Sequence, residues 1–530
     1  MEGQTEDLDA IRRQAAESGL MFVEDVDEAC FDPDLIAGIP VEWARTNAML
    51  PIRLEGELCL LMADPAAVSR QEDVALLIGA ELRPVLAPRA AIARCIERCY
   101  FSRRDSAEDF LRDLGPAEKE EGGASPRSDD LLRVAEEAPV TQLVNLILLE
   151  AVKARASDIH FEPFESRLRV RYRIDGVLYE QSSPPKHMER ALVSRLKVMA
   201  RLDIAEKRLP QDGMARVRVG EREIDIRAST IPVAEGERVV LRLLNRESSI
   251  LPLAALGMAP GVMGTFEALL REAHGLLVVC GPTGSGKTTT LYAAIRQLDT
   301  TGRNVLTIED PVEYQLPDIG QMQVKPKIGL TFARGLRHIL RQDPDVVLVG
   351  ETRDNETAEI AVRASLTGHL VFTTLHTNDA AGAVMRMMDM GVEAFLLAAA
   401  LRGALAQRLV RRLCPSCRRP VQLTEREWLA LGTAGERLRG QTVYAPAGCP
   451  ACLGGYHGRI GIFELLVVDE RMQDAIRRRA DVARHLVSGA GGNQLSSLLD
   501  DGLDKVLRGE TSLAEVQYAL GLSGAQVPAT

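Results

Sequence analysis

Residues Gly281-Pro282-Thr283-Gly284-Ser285-Gly286-Lys287-Thr288 follow the spacing G-x-x-x-x-G-K-[ST], which suits a bound polyphosphate. Glycines at that spacing let backbone N–H groups turn inward around phosphate oxygens, and a helix starting there adds a partial positive charge. Lys287 can reach the β- and γ-phosphates of a nucleotide, and Thr288 can ligate Mg²⁺. The loop follows the apolar run Leu276–Cys280 and precedes a helix-like segment. A chance glycine-rich turn would lack that setting, so the sequence predicts an ATPase.

Two acidic clusters follow at the ends of strand-like segments. One is Thr307-Ile308-Glu309-Asp310-Pro311-Val312-Glu313, the other Asp343-Pro344-Asp345 through Val349-Gly350-Glu351. Ligands of an open α/β sheet bind beyond the carboxyl ends of its strands. Both clusters are therefore expected to reach the triphosphate, one holding hydrated Mg²⁺ and one activating water. The bland alternative is a pair of solvated loops. His369 and His376 bracket a further predicted strand. A single histidine in such a place is more often structural.

Cys414-Pro415-Ser416-Cys417 and Cys449-Pro450-Ala451-Cys452 form two Cys-x-x-Cys turns. Two such turns can close a tetrahedral Cys₄ site suited to structural Zn²⁺. The long spacer between them predicts a separate lobe. A redox-active pair is the alternative, disfavoured because there are two pairs and no thioredoxin-like context.

These groups must be positioned by more than one core. A chain of 530 residues implies about three or four domains. Its apolar and charged shares, 46% and 26%, are those of a globular protein, and the net charge of −11 argues against a dedicated nucleic-acid binder. The first residues are acidic and polar, unlike a secretory signal, and the longest apolar run, Phe395 to Ala404, is interrupted by Arg402. The expectation is a cytoplasmic protein that meets a membrane only through a partner.

Residues 1–101 mix short helix-like and strand-like pieces, and 102–136 are charged and rich in Gly and Ser, as a linker is. Residues 137–246 read as a small α+β domain. It has a helix capped by Thr141 and strands at Asp158–Glu162, Leu168–Ile174, Arg216–Val219, Glu223–Arg227 and Arg238–Leu244. A hinge is expected at 247–260. From 261 to 411 strand, loop and helix repeat, with buried strands at Leu276–Cys280, Asn304–Glu309, Asp345–Val349 and Leu370–Thr374; this predicts an open α/β sheet with helices on both faces. The cysteine insertion is placed at 412–460 and a helical tail, with Gly489, Gly491 and Gly492, at 461–530.

The phosphate loop, Thr307–Glu313, Asp343–Asp354 and Thr367-Gly368-His369 through His376-Thr377-Asn378 resemble the Walker A motif, Asp box, Walker B motif and His box of secretion ATPases. These serve type II secretion and type IV pili. Ala156-Ser157-Asp158-Ile159-His160-Phe161-Glu162-Pro163, Arg173-Ile174-Asp175-Gly176-Val177-Leu178 and Leu192 through Gly213 are similar to the GspE-type ATPases of type II secretion.

The resemblance implies a RecA-like P-loop ATPase domain preceded by a smaller α+β (PAS-like) domain, with an N-terminal α/β partner-docking domain and a Cys₄ zinc insertion. It implies ATP, Mg²⁺ and Zn²⁺ as cofactors. Glu313 would be the general base, Glu351 would hold Mg²⁺ with Thr288, and His369 and His376 would sense the γ-phosphate. In a homo-hexamer Arg227 and Arg242 would reach phosphates, with Arg337 and Arg341 in support; the i, i+4 spacing of the last two also predicts a shared helix face. The segment 33–52 resembles the domain that docks on the cytoplasmic part of an inner-membrane platform protein. Met214 stands where the family has Arg, and Thr352 where it has an apolar residue. The leading expectation is a motor for type II pseudopilus assembly. A type IV pilus extension ATPase shares every site, and a regulatory scaffold that binds nucleotide without turnover is the reading from another class.

Overall fold

The computed structural model describes residues 8–26, 30–32, 35, 39, 41–54, 56–101, 107, 111, 138–219, 222–245, 251–479 and 496–522. Nearly all of the expected linker, the first part of the expected hinge and the tail glycines lie outside these residues. The chain divides into unit 1, residues 1–174 and 178–246, and unit 2, residues 175–177 and 247–530.

The first part of unit 1 has helices Leu8–Ser18, Val41–Asn47, Val68–Ile78 and Arg89–Phe101. Strands β1 (Met21–Phe22), β2 (Met49–Leu54), β3 (Glu57–Met62) and β4 (Arg83–Leu86) form a sheet in the order β1-β4-β3-β2. Its core joins Leu50, Ile52, Leu60 and Val85 to Ile92 and Ile96 of the last helix.

The second part is a six-stranded sheet in the order β7-β6-β5-β10-β9-β8. The strands are β5 (Asp158–Pro163), β6 (Leu168–Ile174), β7 (Val177–Ser182), β8 (Gln211–Val219), β9 (Arg222–Val233) and β10 (Gly236–Asn245). Side chains alternate between the two faces of a strand. Ile159, Phe161, Val170, Tyr172, Ile226 and Leu241 pack with Leu143, Ile147, Leu192 and Leu196 of helices Ala138–Lys153 and Glu189–Met199. The opposite face is charged, with Glu162 bonded to Arg169, Arg171 and Arg238 at 3.1, 2.6 and 2.8 Å. Strands β8 to β10 run longer than the sequence predicts, and β7 was not predicted. Their alternation carries Arg, Asp and Glu on one face, which hides the apolar period. Thr141 lies inside its helix rather than capping it.

Unit 2 is built on a seven-stranded sheet in the order β13-β12-β14-β15-β11-β16-β19. The strands are β11 (Gly275–Cys280), β12 (Val305–Glu309), β13 (Gly320–Gln323), β14 (Val346–Val349), β15 (Leu370–Leu375), β16 (Leu401–Leu413) and β19 (Tyr456–Val467), all parallel except β19. Val347 and Val349 pack with helices Phe332–Ile339 and Asn355–Leu366, whereas Val346 and Leu348 pack with helices Pro260–Leu270 and Lys287–Ile295. The sheet is thus covered on both faces, which suits its nearly continuous apolar strands.

The apolar run Phe395–Ala404 divides: helix Ala394–Ala400 ends where β16 begins. Strand β16 continues to Leu413 and β19 starts at Tyr456, so the core sheet brackets the cysteine lobe. That lobe pairs β17 (Arg419–Gln422) with β18 (Thr442–Ala445). Its Leu438 and Val443 pack with Leu503, Val506 and Val516 of helices Leu498–Leu507 and Leu513–Leu520. No helix among the described residues is long and apolar enough to cross a membrane.

Candidate functional site

The phosphate loop leaves the carboxyl end of β11, where Cys280 is level with Leu375 of β15 and Ala406 of β16. Gly281 adopts φ 152°, and a Cβ there would lie 2.5 Å from both the Gln407 carbonyl and the Ser285 hydroxyl. Gly284 and Gly286 have φ 80° and 89°, which glycine adopts without strain. Helix Lys287–Ile295 starts at the loop's last glycine. Gln407 Nε2 donates to the Ser285 carbonyl at 2.6 Å. The buried Ser285 hydroxyl has no hydrogen-bond partner among the described residues. A loop closed to a Cβ at Gly281, with an unsatisfied buried hydroxyl, fits a phosphate-bearing ligand.

Lys287 Nζ folds back on the carbonyls of Gly281 and Pro282 at 2.7 and 3.1 Å. Burial pushes its pKa down, and the charge of Glu351 opposes that shift. Glu351 follows the end of β14 at the same edge of the sheet. His376 Nε2 lies 3.0 Å from one of its oxygens and Arg353 Nη2 2.7 Å from the other. Burial favours the neutral acid, but the bond and charge of Arg353, with the charges of His376 and Lys287, hold the Glu351 pKa below its usual value. Thr352 is buried and bonds the Thr373 hydroxyl at 2.6 Å, so its hydroxyl is satisfied where an apolar residue was expected.

The carboxylate clusters do not act as blocks. Glu309 is buried and accepts from Tyr292, from Thr307 at 2.6 Å and from Gln321 at 3.1 Å. It is a structural acceptor. Glu313 lies in the loop after β12, past the cis Asp310–Pro311 peptide. Asp343 and Asp345 precede β14, at the amino end of the strand, where both hold Asn304. Only Glu351 of that cluster reaches the phosphate-loop edge.

His369 is also displaced from the expected site. It precedes β15, and its carbonyl accepts from Gly275 at the start of β11. A six-residue strand, about 20 Å, separates it from the loop of its own chain. Arg337 pairs with Glu356 at 2.6 Å. Arg341 lies beyond helix Phe332–Ile339 and folds back on the Arg337 carbonyl at 2.8 Å, so the two do not share a helix face. The helix stops before Asp343, which has φ 50° and precedes a proline. Gln407 and Arg408 were missed. They flank the loop from β16, and that strand lay hidden in a run with mixed apolar and charged residues.

In unit 1, Arg173, Asp158, Arg242, Arg227 and Met214 occupy one register row across β6, β5, β10, β9 and β8. Arg242 Nε donates to Asp158 at 2.9 Å.

The sulfurs of Cys414, Cys417, Cys449 and Cys452 all lie within 4.8 Å of one another. Three of the sulfur pairs lie 3.9, 3.7 and 3.6 Å apart. A tetrahedral Zn–S₄ site with bonds near 2.3 Å needs about 3.8 Å between sulfurs. The four residues therefore fit a zinc ion. No disulfide joins them.

A profile described as Type II/IV secretion system protein matches residues 133–518, and an MshEN domain profile matches 22–106. The chain is 52% identical over 490 residues to Type II secretion system protein E of Aeromonas hydrophila, covering 91% of this chain and 96% of the relative. It is 42% identical over 489 residues to the Type IV pilus assembly ATPase PilB of Myxococcus xanthus, covering 92% and 86%. The solved structure of the Legionella pneumophila ATPase DotB aligns over 72% of this chain and 96% of its own, at TM-score 0.53 and 21% identity, and shares the fold. This accords with the RecA-like expectation. By the extent of the profile match and the identity to these relatives, the chain belongs to the type II/IV secretion system protein family, among its secretion ATPases.

Proposed function

We propose that this chain hydrolyses ATP as a homo-hexamer to drive assembly of a type II secretion pseudopilus and protein export across the outer membrane. One observation carries the reading: the phosphate loop, Lys287, Glu351 and His376 converge at one edge of the unit 2 sheet, with Lys287 and Glu351 in each other's field. The loop cradles the phosphates, and Lys287 leaves its backbone carbonyls for them. Glu313 is the general base that orients water. Thr288 and Glu351 are the residues that would hold Mg²⁺, whose contribution when bound is to neutralise phosphate charge. Arg227 and Arg242 act on the nucleotide of a neighbouring copy.

The four cysteines hold a structural zinc. The N-terminal domain docks on the cytoplasmic domain of an inner-membrane platform protein, which places the motor at the membrane without inserting it. The Aeromonas hydrophila relative, a type II secretion protein, supports this reading. The 42% identity to PilB favours a second one, type IV pilus extension. Phosphate release by the wild type and Lys287→Ala tests the ATPase; a wild type without turnover would leave the scaffold reading. A deletion strain separates the two machines: lost exoprotein export supports type II secretion, and lost surface pili with intact export supports the pilus.

A further inference from the structure

The residues that hold the Glu313 loop form a buried network that neither the phosphate loop nor the acidic clusters predict. Tyr292 lies on helix Lys287–Ile295, directly after the phosphate loop, and is buried. Its hydroxyl donates to Glu309, at the end of β12. The Tyr292 hydroxyl oxygen itself faces the backbone amides of Glu313 and Tyr314. Gln321 of β13 completes the frame. Its amide donates to Glu309 at 3.1 Å and to the Tyr314 carbonyl at 3.0 Å, and its carbonyl accepts from Leu316 at 2.7 Å. Thr307 donates at 2.6 Å to the same Glu309 oxygen that Gln321 reaches, and Tyr292 takes the other. Every atom of the Glu309 carboxylate is thereby directed, and the loop from Glu313 to Leu316 is held on both sides.

We infer that Tyr292, oriented by Glu309, is a positioning residue that fixes the Glu313 backbone relative to the phosphate loop. The inference rests on the reading of Glu313 as the general base. Tyr292 is one helical turn and a half past Lys287, so the element that grips the phosphates also carries the hydroxyl that grips the base loop. Burial, and then the neighbouring Glu309, push the phenol pKa up, which keeps it a donor. A base displaced by a fraction of an ångström loses rate while ground-state phosphate contacts persist.

The test is Tyr292→Phe in the assembled full-length protein. The ring and its edge contact with Tyr314, at 6.3 Å between centroids, are retained. The expected result is a fall in kcat of about tenfold or more. KM for ATP and affinity for a non-hydrolysable ATP analogue should stay within about twofold, since the phosphate contacts are untouched. In a Glu313→Gln background the same change should slow turnover no further, because a lost base needs no positioning. Wild-type kcat, a parallel loss of analogue affinity, or an additive effect in the double variant would each overturn the inference. Gln321→Leu, which leaves Tyr292 in place, should show the same split if Tyr292→Phe proves too unstable to purify. Wild-type turnover by Glu313→Gln alone would instead remove the base assignment itself; a dead Glu313→Gln beside a fully active Tyr292→Phe would remove only the positioning role.

Discussion

His376 Nε2 lies 3.0 Å from Glu351, whose other oxygen takes Arg353 at 2.7 Å. The carboxylate is thus clamped at the edge where Lys287 emerges. Its folded pKa lies below the ordinary 4.5, because Arg353, His376 and Lys287 outweigh its burial. A depressed carboxyl pKa adds stability that is present above the unfolded value and is lost as pH falls through the folded one. The stability difference between wild type and Glu351→Gln should therefore be flat above about pH 5 and shrink below about pH 4.5. Denaturant unfolding across that range measures it. A difference that grows on acidification would contradict the clamp. At neutral pH the same variant should bind ATP but not turn it over.

Lys287→Ala removes the one side-chain ammonium built into the phosphate loop. Among the described residues its Nζ bonds to loop carbonyls alone, so the fold should survive the change. Turnover should fall by far more than one decade, which is worth about 1.4 kcal/mol in the barrier. Retention of more than about a tenth of wild-type phosphate release would sink the assignment.

The sulfur spacing in the cysteine lobe leads to a stoichiometric prediction: one zinc per chain, in protein purified without added metal. Elemental analysis measures it, and metal-free protein with four intact thiols would count against the site. Replacing Cys449 and Cys452 with Ser should loosen the lobe around Leu438 and Val443 first. Nucleotide binding should persist, since the phosphate loop sits on β11 and draws no ligand from the lobe. Limited proteolysis beside a nucleotide-binding assay tests both halves.

The sequence disclosed groups whose spacing is itself the chemistry. The phosphate loop and both Cys-x-x-Cys turns are local, so their geometry follows from a few residues. Strands β11, β12, β14 and β15 were legible because a parallel strand covered on both faces reads as a continuous apolar run. Strands β8 to β10 were legible only in part, and β16 not at all, because one face of each carries charges that break the run. Tertiary placement was hidden too. His369 and His376 are equivalent in sequence terms, yet they stand at opposite ends of β15. Asp345 and Glu351 likewise bracket β14. Which end of a strand meets the nucleotide depends on the direction of β11 in the sheet, and a residue list does not contain that.

Arg227 and Arg242 stand opposite each other in register on β9 and β10, in a different structural unit from the phosphate loop. Like charges in directly opposed positions cost stability, and Asp158 offsets part of that cost by accepting from Arg242. Such a pair is maintained more readily if it serves an anion, and the proposed anion is the nucleotide of another copy. Activity per chain should then rise steeply with protein concentration as rings assemble. Arg227→Ala should lower turnover in the assembled ring much more than nucleotide affinity, because the missing charge acts mostly in the transition state. Mixing makes the assignment specific. Lys287→Ala chains keep their arginines, and Arg227→Ala chains keep their phosphate loop. If the arginines act in trans, mixing the two inactive variants should restore phosphate release, because some interfaces pair an intact loop with an intact arginine. Joint rings are verified by co-purification through a tag on one variant. Joint rings without recovered turnover would assign the arginines to their own chain.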